Sequence, residues 1–216
     1  RFYQASTSEL YGKGKEGTSS NEDSLFIPRS PYAAAKLYAH NMVAIYREAY
    51  GIFGCCGILF NHESPRRGKD FVTRKITDGI AGIKLGLKDK LKMGNIDAIR
   101  DWGHARDYVE AMHLMLQQDT PDDFVIATGK TATVREAIQF VCDLADLDFN
   151  NVYEINEKYM RPSDVPYLCG DASKAKEILN WTPSYNWKNL LEEMYKSDLE
   201  TLSAGSDYRL QHTMKP

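Results

Sequence analysis

The chain has 216 residues, 43% of them hydrophobic and 26% charged, the balance of a protein that buries a core in water. Its 27 Lys and Arg against 30 Asp and Glu leave a net charge of -3, which excludes the basic footprint of a nucleic-acid binder. No apolar run reaches the length of a membrane span and no secretory leader opens the sequence, so no membrane partner is expected and the expected location is the cytoplasm.

In chain order, residues 2–8, "FYQASTS", read as a short buried strand that runs out into polar side chains. "GKGKEGTSSNEDS", residues 12–24, is rich in glycine and charge and reads as a loop. A helix is predicted from Pro31 to Tyr50, with Ser30 as cap, Pro31 in the first turn and Gly51 just past the end. "IFGCCGILF", residues 52–60, is almost continuously apolar, as a strand buried on both faces of a parallel sheet must be. Strand, loop, helix and strand make one βαβ unit. A polar loop at 61–70 leads to a helix over about 71–87, a short strand over 89–93 and an amphipathic helix over "HARDYVEAMHLMLQ". "DFVIAT" reads as another strand, followed by a helix over "TVREAIQFVCDLAD" with Thr133 as cap. "DASKAKEILNW" and a helix over "WKNLLEEMYKSDLETL" close the pattern, and the polar tail from Ser203 is expected to be disordered. The succession predicts an α/β doubly wound parallel sheet with a smaller α+β lobe.

Cys55, Cys56, Cys142 and Cys169 form no C-x-x-C pair. Adjacent strand residues point to opposite faces, so Cys55 and Cys56 are poorly placed to share a metal, and no metal site is expected.

In an open parallel sheet, ligands sit beyond the carboxyl ends of the strands. Thr7, Ser8 and Glu9 end the first strand, while Asn61, His62 and Glu63 end the second. Tyr32 and Lys36, on the helix between them, are four apart and share one face. An ammonium beside a phenol favours the phenolate, the form that acts as a base. Taken as a bare pair they also fit an ordinary helix surface.

Thr7 followed by Tyr32-x-x-x-Lys36 resembles the Ser/Thr-Tyr-Lys set of extended short-chain dehydrogenases/reductases. The words around it, "FYQASTSELYGK", "PRSPYAAAKLYA", "GILFNHESPRRG", "RDWGHARDYVEAM", "DFVIATG" and "RPSDV", are similar to the GDP-mannose 4,6-dehydratase family over about residues 1–202. That resemblance implies a Rossmann-like NAD(P)-binding sheet, NADP as cofactor and GDP-mannose as substrate. It implies a homo-oligomer, dimer or tetramer, acting in GDP-fucose and deoxysugar synthesis. The sugar would be oxidised at carbon 4, lose water across carbons 5 and 6, and be reduced at carbon 6. Tyr32 would take the carbon 4 hydroxyl proton, with Lys36 supporting it and also binding cofactor. Thr7 would orient that hydroxyl, Glu9 would take the carbon 5 proton, and Ser8 would assist. His62 and Arg67 resemble NADP contacts. Asn61, Val72, Lys75, Arg100 and Arg161 resemble sugar-nucleotide contacts, while His104, Asp107 and Tyr108 would organise the lobe.

The departure is at the front. No Gly-rich phosphate loop follows any strand, and the chain opens directly in a strand, so it is expected to be the C-terminal part of such an enzyme. Residues 1–70 then belong to the cofactor domain, 71–202 mainly to the substrate lobe with returning sheet elements, and 203–216 to the tail. Two alternatives are a non-catalytic GDP-sugar-binding module and another nucleotide-sugar epimerase or dehydratase.

Overall fold

The computed structural model describes residues 1–160 and 165–213, without the side chains of 206–213. In chain order the elements are β1 (Phe2–Thr7), α1 (Pro31–Tyr50), β2 (Gly54–Leu59), β3 (Asn61–Glu63), α2 (Val72–Lys84), β4 (Leu91–Met93), β5 (Ile99–His104) and α3 (Ala105–Gln117). There follow β6 (Phe124–Ile126), β7 (Thr131–Thr133), α4 (Val134–Ala145), α5 (Phe149–Val152), β8 (Tyr153–Ile155), α6 (Ser173–Leu179) and α7 (Trp187–Thr213). The fold class is α/β, as the sequence predicts.

Two compact units interleave along the chain: Arg1–His62, Ala98–Ala132 and Pro162–Trp187 form one, and Glu63–Asp97, Thr133–Arg161 and Lys188–Pro216 the other. Past residue 70, β5 and β6 belong to the first unit.

The first unit is built on the parallel sheet β1-β2-β6, in register from Phe2 opposite Gly54 to Thr7 opposite Leu59, and from Gly57 opposite Phe124 to Leu59 opposite Ile126. All six residues of β2 are buried. The strand period of two sends them to opposite sides. Cys55, Leu59, Phe124 and Ile126 join Tyr108, Met115, Leu179 and Trp181 in one cluster, while Ile58, Phe60, Val125 and Ala127 join Tyr11 and Leu168 in another. The sheet is thus covered on both faces, which is why β2 is apolar without alternation. The helix between β1 and β2 obeys its punctuation: Ser30 Oγ accepts from Ala33 N at 3.0 Å, and Gly51 takes the left-handed conformation at φ 64°.

In the second unit α2 packs along α4, and β4 pairs parallel with β8 from Leu91 opposite Tyr153. Thr133 and Glu136 form a reciprocal capping box at α4. Asp198 of α7 accepts from Thr77 Oγ1 and Arg74 Nε, each at 2.7 Å, which ties α7 to α2.

Several expectations need correction. Asn61–Glu63, expected as loop, is a strand in the sheet β3-β5-β7, and β5, β7 and β8 had no counterpart in the sequence reading. The final helix runs to Thr213 rather than ending at Leu202, since Ala204, Arg209, Leu210 and Gln211 are good helix formers despite their polar setting. His104, Asp107 and Tyr108 lie in the first unit.

Candidate active site

Thr7 is the last residue of β1 and caps the 3-10 turn Ser8–Tyr11, its Oγ1 accepting from Glu9 N at 3.3 Å. The strand thereby turns sharply at its carboxyl end, leaving Thr7 and Glu9 half-buried and Ser8 buried. Ser30 Oγ, besides capping α1, donates to Glu9 Oε2 at 3.2 Å. The positive end of α1 faces that carboxylate through the shared hydroxyl. Two residues beyond Ser30, Tyr32 is 51% exposed, so its phenol is open to solvent and ligand.

Lys36 lies one turn further along α1. Its Nζ donates to the Ala5 carbonyl at 2.8 Å and stands 5.7 Å from the centre of the Tyr32 ring. The predicted pair is thus brought together, with the ammonium tethered to the strand that carries Thr7. One step deeper, Ser6 Oγ lies 2.9 Å from His40 Nδ1, both residues buried. Three side-chain links therefore fasten the end of β1 to α1: Lys36 to Ala5, His40 to Ser6, and Ser30 to Glu9.

Because Thr7 pairs with Leu59, Asn61 and His62 leave β2 on the same carboxyl rim. Asn61 is half-buried. His62 Nδ1 lies 2.9 Å from the Phe60 carbonyl, an oxygen that only accepts, so Nδ1 carries a proton and donates it there. Tyr108 stacks on the ring at 5.0 Å and holds its plane. Arg100, near the start of β5, is half-buried and donates to its neighbour's carbonyl, Ile99 O, at 2.9 Å.

The remaining predicted residues belong to the second unit. Arg67 Nε lies 3.0 Å from Glu63 Oε2, and its guanidinium covers the Phe71 ring at 3.5 Å. Glu63 is 3% exposed and also accepts from Thr73 Oγ1 at 2.6 Å. Burial pushes its carboxyl above the ordinary range, with Arg67 and Thr73 opposing. Val72 and Lys75 sit in the first turn of α2, and Lys75 Nζ lies 3.4 Å from the centre of the Tyr159 ring. Burial lowers the proton affinity of Lys75. Arg161 lies outside the described residues.

Sequence reasoning missed four supports of this arrangement. Ser30 is more than a cap, and no local pattern in the sequence marks His40 or Glu63 as a support. Asp101, fully buried on β5, accepts from Thr128 N, Thr128 Oγ1 and Gly129 N at 2.9, 2.6 and 2.9 Å, and from Gly170 N at 3.3 Å. Burial raises its carboxyl despite these donors. A buried Asp in an otherwise ordinary strand was the available signal.

Among the described residues, His40, Cys56 and Asp123 bring ligand-type atoms within 4.8 Å of one another. These donors are already engaged: Asp123 accepts from Arg47 at 2.5 Å and from Cys56 N at 2.8 Å, and burial raises the Cys56 thiol far above its ordinary value. Cys55 and Cys56 point to opposite faces, as expected, towards the carbonyls of Met115 and His40 respectively. Among the described residues no helix is long and apolar enough to cross a membrane.

Compared with known proteins, residues 1–194 match the family described as GDP-mannose 4,6 dehydratase. The chain is 51% identical over 225 residues to GDP-mannose 4,6 dehydratase of Dictyostelium discoideum, covering 96% of this chain and 63% of that one. It is 52% identical over 200 residues to GDP-mannose 4,6 dehydratase 1 of Arabidopsis thaliana, covering 93% and 55%. The chain thus spans between about half and two thirds of the length of these relatives. Among solved structures, RMD from Pseudomonas aeruginosa, complexed with NADPH, superposes with a TM-score of 0.84 at 24% identity, over 93% of this chain and 67% of that one, a likeness of fold.

Proposed function

This chain belongs to the GDP-mannose 4,6 dehydratase family, and on that premise we propose that the whole protein converts GDP-mannose to GDP-4-keto-6-deoxymannose with loss of water, a step towards GDP-fucose and related deoxysugars. The observation that carries this reading is the carboxylate of Glu9, held 3.2 Å from Ser30 at the start of the helix that bears Tyr32 and Lys36. A simple epimerase needs the tyrosine and lysine but no carboxylate beside them. A non-catalytic binding module needs neither.

The donor set suits NADP. The ammonium of Lys36 and the fixed imidazole of His62 suit ribose hydroxyls and polar ring edges, and the guanidinium of Arg67, braced by Glu63 and Phe71, suits a phosphate. When bound, NADP supplies the acceptor for the hydrogen of carbon 4 and returns it at carbon 6.

The chain's own residues handle protons. Tyr32 takes the proton of the carbon 4 hydroxyl while Lys36 favours its anionic form, and Thr7 orients that hydroxyl. Once carbon 4 is a ketone, the carbon 5 proton is acidic and Glu9 removes it. The protonated Glu9 then gives a proton to the departing carbon 6 hydroxyl and ends as it began, and the proton that carbon 5 regains as carbon 6 is reduced balances the one Tyr32 took from the carbon 4 hydroxyl. Ser8, buried and next to Glu9 in the sequence, assists it. The family resemblance assigns Asn61 and Arg100 of the first unit, Val72 and Lys75 of the second, and Arg161 to the sugar nucleotide.

The active form we infer is a homo-oligomer, a dimer or tetramer, in the cytoplasm. Exposed Tyr38, Ile45 and Tyr50 on α1 are of the kind a second copy covers, and all four cysteines carry free thiols.

The test is to give GDP-mannose to the full-length protein and weigh the nucleotide product. A product lighter by one water supports dehydration. A changed sugar of equal mass means epimerisation, and unchanged substrate means a binding module.

A further inference from the structure

We propose that the buried pair Ser6–His40 is a positioning clasp that sets the separation between the strand carrying Thr7 and the helix carrying Tyr32 and Lys36. The inference rests on the reading of this rim as a dehydratase site and adds to it a residue outside the reacting groups.

The geometry is specific. Ser6 directly precedes Thr7, and strand alternation turns its side chain inward, where it is 4% exposed. His40 is one helical turn beyond Lys36 and two beyond Tyr32, on the buried side of α1, where only it and Ala33 are buried. The 2.9 Å contact between Ser6 Oγ and His40 Nδ1 joins α1 to β1 through two buried side chains, whereas the Lys36 link to Ala5 is an exposed one. The imidazole is held from its other sides. Phe26 meets the ring edge-on at 5.1 Å, His40 Nε2 lies 3.9 Å from Asp123 Oδ2, and Cys56 Sγ points to the His40 carbonyl at 3.8 Å. Asp123 is itself fixed by Arg47 and by the backbone of β2. Phe26 and Asp123 bear on the ring and Cys56 on the backbone behind it, so the position of His40 passes to Ser6.

The contact matters because Lys36 alone is a soft tether. Its ammonium sits on a flexible stem and must reach both the Ala5 carbonyl and a bound ribose. A short buried bond next to each partner fixes the backbone that the long side chain cannot, and small errors in such alignments cost rate more than affinity.

The experiment uses His40 variants of the full-length protein. Asparagine carries its amide nitrogen or oxygen where imidazole carries Nδ1, whereas glutamine reaches to the Nε2 position. His40→Ala is expected to lower kcat about tenfold with KM for GDP-mannose within about twofold. His40→Asn is expected to recover most of the loss and His40→Gln little of it, and in a Ser6→Ala background the advantage of Asn over Gln is expected to disappear. In parallel, His40→Ala, and not His40→Asn, is expected to speed deuterium exchange at the Ser6 and Thr7 amides. A wild-type kcat in His40→Ala, equal rescue by Gln and Asn, or a loss that tracks only the folded fraction would overturn the clasp. If the wild-type protein does not dehydrate GDP-mannose, the functional reading fails while amide exchange still decides whether the clasp exists.

Discussion

Glu9 and Tyr32 reach the rim from different elements, and Ser30 is the side chain that joins them. Its hydroxyl accepts from Ala33 N and donates to Glu9, so one residue both starts α1 and aims the carboxylate. Ser30→Ala is expected to cost about 1 kcal/mol of stability through the lost cap. It should also slow elimination more than carbon 4 oxidation, which a comparison of carbon 5 deuterium exchange with carbon 4 oxidation would reveal. His40 belongs to the same scale. Its proton affinity is lowered chiefly by burial, with Asp123 opposing and Arg47 adding to the effect. A histidine harder to protonate folded than unfolded contributes stability above its unfolded value, about 6.5, and loses that contribution as pH falls through its folded value. The unfolding free energy of the wild type relative to His40→Asn should therefore decline as pH falls below about 6.5. A pH-independent difference would mean that His40 does not titrate differently on folding.

At the scale of elements, α1 and β2 were legible because each is specified locally. Ser30, Pro31 and Gly51 mark the helix ends, and a run without alternation marks a strand covered on both faces. β5 was not legible, because "IRDWGH" mixes charge, Trp and Gly and makes sense only through distant partners. Asp101 is satisfied by residues 27, 28 and 69 positions away, which no local pattern encodes. Asp101→Ala would leave those backbone donors buried without an acceptor, and a loss of about 2–3 kcal/mol is expected in denaturant unfolding. In the second unit, Asp198 is 1% exposed and holds Arg74 and Thr77. Asp198→Ala should cost about 3 kcal/mol, because it leaves a partly buried guanidinium without its carboxylate, with only the Pro65 and Arg67 carbonyls still accepting from it. The same substitution at exposed Glu154, whose ammonium partner Lys92 stands 3.8 Å away at the surface, should change stability by under about 1 kcal/mol.

At the scale of the molecule, a sequence cut near residue 70 follows the chain, whereas the compact units follow contacts made when 98–132 and 162–187 return to the first sheet. The catalytic candidates escaped this difficulty. Thr7, Glu9, Tyr32, Lys36, Asn61 and His62 all lie in the first unit and on elements joined by the β1–β2 pairing. Their supports did not escape it, since Ser6–His40 and Glu63–Arg67 appear only when side chains are placed. The account turns on Glu9, the group that separates dehydration from epimerisation. The most direct measurement gives GDP-mannose in deuterated water to the full-length protein and to its Glu9→Gln variant, and follows deuterium at carbon 5 together with release of water. The account predicts that the variant still oxidises carbon 4 but exchanges carbon 5 and eliminates water at least about 100-fold more slowly. Elimination at the wild-type rate in Glu9→Gln would contradict it.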